Sequence, residues 1–258
     1  DLVHSLFADV YADVSPGSTV DISQFSRRYN KLVLIRHLET VLNYSSDMVL
    51  GLRSRLYREF DERGAGEVII PICQAFLMGR SPSGVSNIVT YNFDNALERA
   101  LARLGVKDVL SVFSEQTYRV RSASLKIFHP HGFLPHEEDD PAGEISNQSA
   151  TIFSERGYNE QFNQTWNWQN LAQLQQFTTT TCLFVGLSLA DPNIRRLLDQ
   201  ARRHVPPTPL AHVSIQRPSG TKLLDNFLEV DLASLGVATL WVSDYDQIPA
   251  LIEEIARA

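Results

Sequence analysis

Two spacings of apolar residues divide this chain. In the first third the period is helical. "DISQFSRRYNKLVLIRHLETVLNYS" (21–45) and "DMVLGLRSRLYREFDERG" (47–64) each place apolar side chains on one face, and the second run stops at Gly64. The "GAG" at 64–66 ends a helix rather than a strand, so it reads as a helix stop and not as a phosphate loop. After "VIIPICQAFLM" the turn-rich "GRSPSG" marks a break.

From Val85 onward short β-branched runs alternate with helical ones. "NIVTY" is followed by "DNALERALARLG", in which Leu97, Ala100, Leu101 and Leu104 share a face and Gly105 is placed to end the helix. "VLSVF" and "LKIF" read as two further strands. "SERGYNEQFNQTWNWQNLAQLQQF" reads as helix, with Gly157 placed to interrupt it. The strand "TCLFVG" leads to the helix "ADPNIRRLLDQARRH", with Asp191 as its cap and Pro192 in its first position. Strand "AHVSIQ", helix "GTKLLDNFLEVDLASLG", strand "VATLWVS" and helix "DQIPALIEEIARA" complete the chain.

Strands alternating with helices of ten or more residues predict a mostly parallel sheet with helices on both faces. The expectation is therefore a Rossmann-like, doubly wound α/β fold. It forms a single domain over 1–258, with a helical lead-in at 1–84 and the alternating core at 85–258. The chain starts at Asp1 without a methionine, and a piece of a longer protein is the expectation.

Composition narrows the partners. A formal net charge of −7 over 258 residues disfavours direct nucleic-acid binding, which needs a cationic face. No apolar run approaches the about 18 residues of a membrane span, and there is no basic-then-apolar leader. The two cysteines, Cys73 and Cys182, sit in apolar surroundings and make neither a disulfide framework nor a metal cluster. A cytoplasmic protein with no metal is the expectation.

Parallel α/β sheets bind ligands beyond the carboxyl ends of their strands. Three polar loops are predicted there: "YNFDN" with Asn92 and Asp94, "HPHGF" with His129, His131 and Gly132, and "GLSLADP" with Gly186 and Ser188. Glycine lets a phosphate approach the backbone, and the following helix N-terminus favours the anion. Asn and Asp side chains hold ribose hydroxyls, and a histidine supplies a base suited to neutral pH. Taken singly, each has an ordinary structural reading. Asp94 alone is more often a cap, a lone histidine is more often structural, and "GLSLADP" alone is a capped turn. The conjunction of three such loops points to a nucleotide whose sugar is attacked.

These loops resemble the sirtuin-like proteins, in particular the bacterial NAD-consuming branch of anti-phage defence. "TYNFD" is similar to a Thr-x-Asn-x-Asp signature, and "HPHG" to a His-Gly motif, 39 residues after Asn92. "FVGLSLADPNIRRLL" and "SERGYNEQF" resemble two further family segments. The resemblance implies an NAD glycohydrolase that releases nicotinamide and ADP-ribose, with NAD as substrate. It implies that Asn92, Asp94 and His131 are catalytic, and that Thr90, Gly132, Gly186, Ser188 and Asp244 bind the dinucleotide. His131 is preferred to His129 because it directly precedes the glycine. The two cysteines depart from the four-cysteine zinc module of the deacylating members, which disfavours deacylation. A nucleotide-sensing or assembly module of the same fold is the alternative. The family's opening strand and Gly-rich loop are missing before "DLVHSLFADV", and the resemblance predicts them upstream of Asp1. It also implies a fused or associated sensor protein and a homo- or hetero-oligomer.

Overall fold

In the computed structural model, residues 31–41, 46–58, 69–74, 85–120, 125–149, 151–152, 155–204 and 211–257 are described. The opening segment, the outer ends of the two N-terminal helical runs, the 64–66 turn and "GRSPSG" lie outside them. The chain divides into two compact units, one of Asp1–Gly66 with Ser86–Gln164, the other of Glu67–Val85 with Thr165–Ala258. The architecture is Rossmann-like α/β, built on two parallel three-stranded sheets.

The first unit begins with helices α1 (Lys31–Val41) and α2 (Ser46–Arg58). Its sheet contains β1 (Asn87–Val89), β2 (Val109–Val112) and β3 (Leu125–Phe128) in the order β1-β3-β2, all parallel. Between β1 and β2 runs α3 (Ala96–Arg103), which buries Ala96 and Leu101 and ends through Gly105 at φ +80°. A short helix, α4 (Glu115–Tyr118), precedes β3. The central strand is the most apolar, with Leu125 and Ile127 fully buried, as a strand covered on both faces requires. After it come α5 (Glu144–Gln148) and α6 (Glu155–Asn163). Helix α1 packs on α6, and α2 packs on α5. The α2–α5 contact is fastened by a buried ion pair. Arg53 Nη1 lies 2.8 Å from the Asp140 carbonyl and 3.3 Å from its carboxylate. Burial alone would raise the Asp140 carboxyl. Hydrogen bonds from Ser146 and Ile145, with the Arg53 charge, overcome it and hold the group below its ordinary range.

The second unit contains a helical stretch at 69–74, then α7 (Trp168–Thr179), β4 (Leu183–Phe184), α8 (Pro192–His204), β5 (His212–Gln216), α9 (Lys222–Ser234), β6 (Val237–Trp241) and α10 (Ile248–Arg257). Its sheet order is β4-β5-β6, again parallel. Ile215, Val242, Ile248 and Ile252 form one buried cluster beneath α10.

One expected helix is in fact two. The stretch from 154 to 177 breaks at 164–167, not at Gly157. Asn167 causes the restart, because its side chain accepts the Asn170 N–H at 2.8 Å. Gly157 stays helical. A Cβ there would stand 3.4 Å from the Ile152 backbone, at ordinary contact distance.

Candidate functional site

Strand register brings two of the three polar loops together. Val89 and Phe128 are partners across β1 and β3, and the ladder continues as Thr90 N–H donates to the Phe128 carbonyl at 2.9 Å. The loop carrying Asn92 and Asp94 and the loop carrying His129, His131 and Gly132 therefore leave neighbouring strands at the same carboxyl end. They are also tied to each other: Leu134 N–H donates to the Phe93 carbonyl at 2.7 Å.

Within the first loop, Thr90 Oγ1 accepts the Asn92 N–H at 3.2 Å, and the Asn92 residue is exposed. Asp94 Oδ1 accepts the Ala96 N–H at 3.0 Å, so this residue does perform the turn-and-cap duty that its type suggests. Its carboxyl is also raised above the ordinary range. Burial is the main cause, the Ala96 N–H opposes it, and the Glu98 charge adds to it.

Asn95 is a residue that the sequence reading passed over. It is buried, its Nδ2 donates to Asp139 at 2.8 Å, and its Oδ1 accepts the His136 N–H at 3.2 Å. The Tyr57 hydroxyl lies 2.9 Å from both Asn95 Oδ1 and the Leu134 carbonyl, and burial drives this phenol well above its usual range. One side chain of α2, Tyr57, thus latches both loops. A buried asparagine directly before a helix was the only local hint.

The two histidines have different surroundings. His131 is 9% exposed and lies between two tyrosine rings, with centroids 4.9 Å from Tyr91 and 5.3 Å from Tyr158. Its backbone carbonyl accepts the Ile152 N–H at 2.6 Å. Gly132 follows at φ +116°, a conformation that side-chain-bearing residues rarely adopt, so the turn requires glycine. His129 is 0% exposed and is fixed on several sides. Its N–H continues the ladder to the Val112 carbonyl at 2.9 Å, its ring packs on Phe133, and its Nε2 lies 2.8 Å from Glu98 Oε1. His129, placed by the sequence in a polar loop, therefore belongs to the core.

Gly186, Ser188 and Asp244 belong to the second unit. Gly186 has φ +69°, and a Cβ there would meet nothing within 4 Å, so only its backbone angle calls for glycine. Leu189 is 2% exposed and adopts φ +53° without being glycine. Its burial offsets that strain, as does the Arg195 guanidinium, which donates to its carbonyl at 3.2 Å. Gln216, from the end of β5, donates to the Leu187 carbonyl at 2.9 Å. Asp191 caps α8 as expected, accepting the Asn193 and Ile194 N–H groups at 2.8 and 3.0 Å. Asp244 accepts the Tyr245 N–H at 2.6 Å and caps a 3₁₀ turn, so it has a structural duty of its own.

Burial pushes the Cys182 thiol up to about 11, which leaves it protonated and unreactive near neutrality. Among the described residues no helix is long and apolar enough to cross a membrane. A comparison with curated proteins gives no match. Residues 86–232, more than half of the chain and including every predicted site residue except Asp244, match the SIR2-like domain. The chain therefore belongs to the SIR2-like family.

Proposed function

We propose that this protein is an NAD glycohydrolase. SIR2-like domains bind NAD. One observation supports the finer reading: an exposed Asn92 and a ring-flanked His131 are presented by two interlocked loops at one end of a parallel sheet. In this reading the bond between nicotinamide and C1′ of its ribose breaks heterolytically. The leaving nicotinamide keeps the electron pair, and an oxocarbenium-like sugar remains. Water adds to C1′ and gives up one proton, so NAD and water yield nicotinamide, ADP-ribose and a proton. Asn92 orients the ribose and the water. His131 takes the proton from the water or from a ribose hydroxyl. The half-buried, raised carboxyl of Asp94 holds the loop geometry through Ala96 and contacts the ribose side. Thr90 and Gly132 shape the backbone around the sugar. In the second unit, Gly186 and Ser188 are assigned to the phosphates and Asp244 to adenine.

In the cell such an activity serves defence by depleting NAD, which requires that it be held inactive until a sensor protein or an oligomer releases it. Incubation of the protein with NAD, followed by chromatography of nicotinamide and ADP-ribose, tests the reaction, with an acylated peptide added in a parallel arm. Turnover without the peptide is expected. NAD that survives every activating condition would leave a nucleotide-sensing role, and turnover that needs the peptide would make the protein a deacylase. Native mass measurement with and without trigger tests the gating, and a constitutively active monomer would refute it.

A further inference from the structure

Behind the exposed Asn92 lies a pair, a buried His129 and a partly buried Glu98, that the reaction above does not use. His129 and Glu98 come from different elements, and their side chains meet at 2.8 Å. Ser111 Oγ, from β2, also donates to Glu98 Oε1 at 2.8 Å. The other face of the imidazole points at the loop: Nδ1 lies 3.4 Å from the Asn92 carbonyl, a long contact at the outer edge of hydrogen bonding. Glu98 Oε2 is buried and has no hydrogen-bond partner among the described residues.

These contacts limit where the protons sit. A carbonyl only accepts, so the contact with Asn92 needs hydrogen on Nδ1. At 2.8 Å, an Nε2 lone pair facing an ionised carboxylate would be repulsive, so a second proton must lie between Nε2 and Oε1. The pair then carries two hydrogens and no net charge, whichever heavy atom holds the shared one. Neutrality suits the site. The ring is fully buried, and a charged carboxylate with one bare buried oxygen is costly. Asp94, four residues before Glu98, interacts with both members of the pair.

We propose that His129 and Glu98 form a net-neutral, proton-sharing couple that grips the Asn92 carbonyl, so that His129 positions the loop presenting Asn92. Glu98 sets the tautomer: with its proton on the Nε2 side, the ring keeps hydrogen on Nδ1. Thr90 Oγ1 holds the Asn92 N–H from the other side, so the peptide groups flanking Asn92 are fixed at both ends. Its side chain then leaves the backbone in one direction. A misplacement of about 1 Å in such a group can cost roughly 10²-fold in rate.

The kinetic arm of the test rests on the NAD-cleaving reading; the spectroscopic arm does not. Nitrogen NMR of the full chain with labelled histidine reports the ring directly, and a protonated Nδ1 at His129 is expected. Glu98→Gln can still donate to Nε2 and should keep that proton on Nδ1, whereas Glu98→Leu should let it move to Nε2. An unprotonated Nδ1 in the wild type, or an unchanged Nδ1 in Glu98→Leu, overturns the couple whether or not NAD is consumed. If Nδ1 behaves as expected but the wild type consumes no NAD, the couple stands and the NAD reading fails. In the kinetic arm, His129→Phe should lower kcat roughly 10- to 100-fold with little change in KM. His129→Asn places an amide N–H near the position of Nδ1 and should recover a substantial part of the loss. Equal rates in the two variants, with both folded by thermal melting, would show that the ring only fills space.

Discussion

The loop after β1 and the loop after β4 both carry polar residues from a strand into a helix, yet they are held by different means. The first, around Asn92, is fastened by side chains from elsewhere in its unit: Tyr57 and Asp139 at Asn95, His129 at Asn92. Three of the side chains around it are of ionisable types, namely Asp94, Glu98 and His129. The second, from Gly186 to Asp191, is held largely by backbone shape and by groups of fixed charge state. Two residues have positive φ, Asp191 caps α8, the uncharged Gln216 supports Leu187, and the permanently charged Arg195 supports Leu189. Chemistry that moves a proton needs groups with adjustable charge, whereas binding a fixed anion needs only oriented N–H groups. From this difference in construction we propose the first loop as the reacting end.

The sharpest way to break that assignment is kinetic. Asn92→Ala and His131→Ala should each lower NAD turnover by about 10² or more, the scale for losing a positioned polar or acid–base group. Asn92→Ala should leave the melting temperature nearly unchanged, because Asn92 is exposed. Wild-type turnover in either variant would move the reacting end elsewhere.

Gly186→Ala probes the second loop. A side chain meets no neighbour there, so the cost is backbone strain at φ +69°, about 1–2 kcal/mol. Calorimetric unfolding should register that loss. In the enzyme assay KM for NAD should rise while kcat changes little, and a kcat loss as large as that of His131→Ala would erase the distinction between the loops.

Gln216→Leu is a milder version of the same test. It strips the Leu187 carbonyl of its donor and should cost about 1 kcal/mol, read from urea unfolding. An effect of similar size on KM is expected, and none on the pH profile.

The smallest effect carries a sign. The folded Asp94 carboxyl binds its proton more tightly than the unfolded one, because burial raises it. In the window above the ordinary aspartate range the folded state holds more protons, so the contribution of Asp94 to stability falls as pH rises. Asp94→Asn retains an oxygen for the Ala96 N–H and removes the charge. Its melting temperature relative to wild type should therefore climb between acid and neutral pH. A gap that shrinks over that range would mean that the carboxylate is favoured by the fold.

Local signals in the sequence specified a good deal. The change of apolar period at Val85 predicted alternating strands and helices, and the six strands among the described residues fall within the runs that suggested them. Gly105 and Asp191 were legible as a helix stop and a cap because such signals act within a few residues. The site loops were legible for the same reason: polar residues directly after short apolar strands sit at strand ends.

What the tertiary structure alone decided depends on partners far apart in the chain. Glu98 looked like one more polar position on α3 until β3 brought His129 to it, 31 residues later. Asn95 looked like a turn residue until Tyr57, 38 residues earlier, reached its side chain. The roles of the two histidines diverge for the same reason. Both lie in "HPHG", but register puts the first on the buried ladder and turns the second toward tyrosines. Periodicity and capping are short-range and survive in a one-dimensional reading. Burial, proton sharing and latching are contacts between distant segments, and only the folded chain brings those segments together.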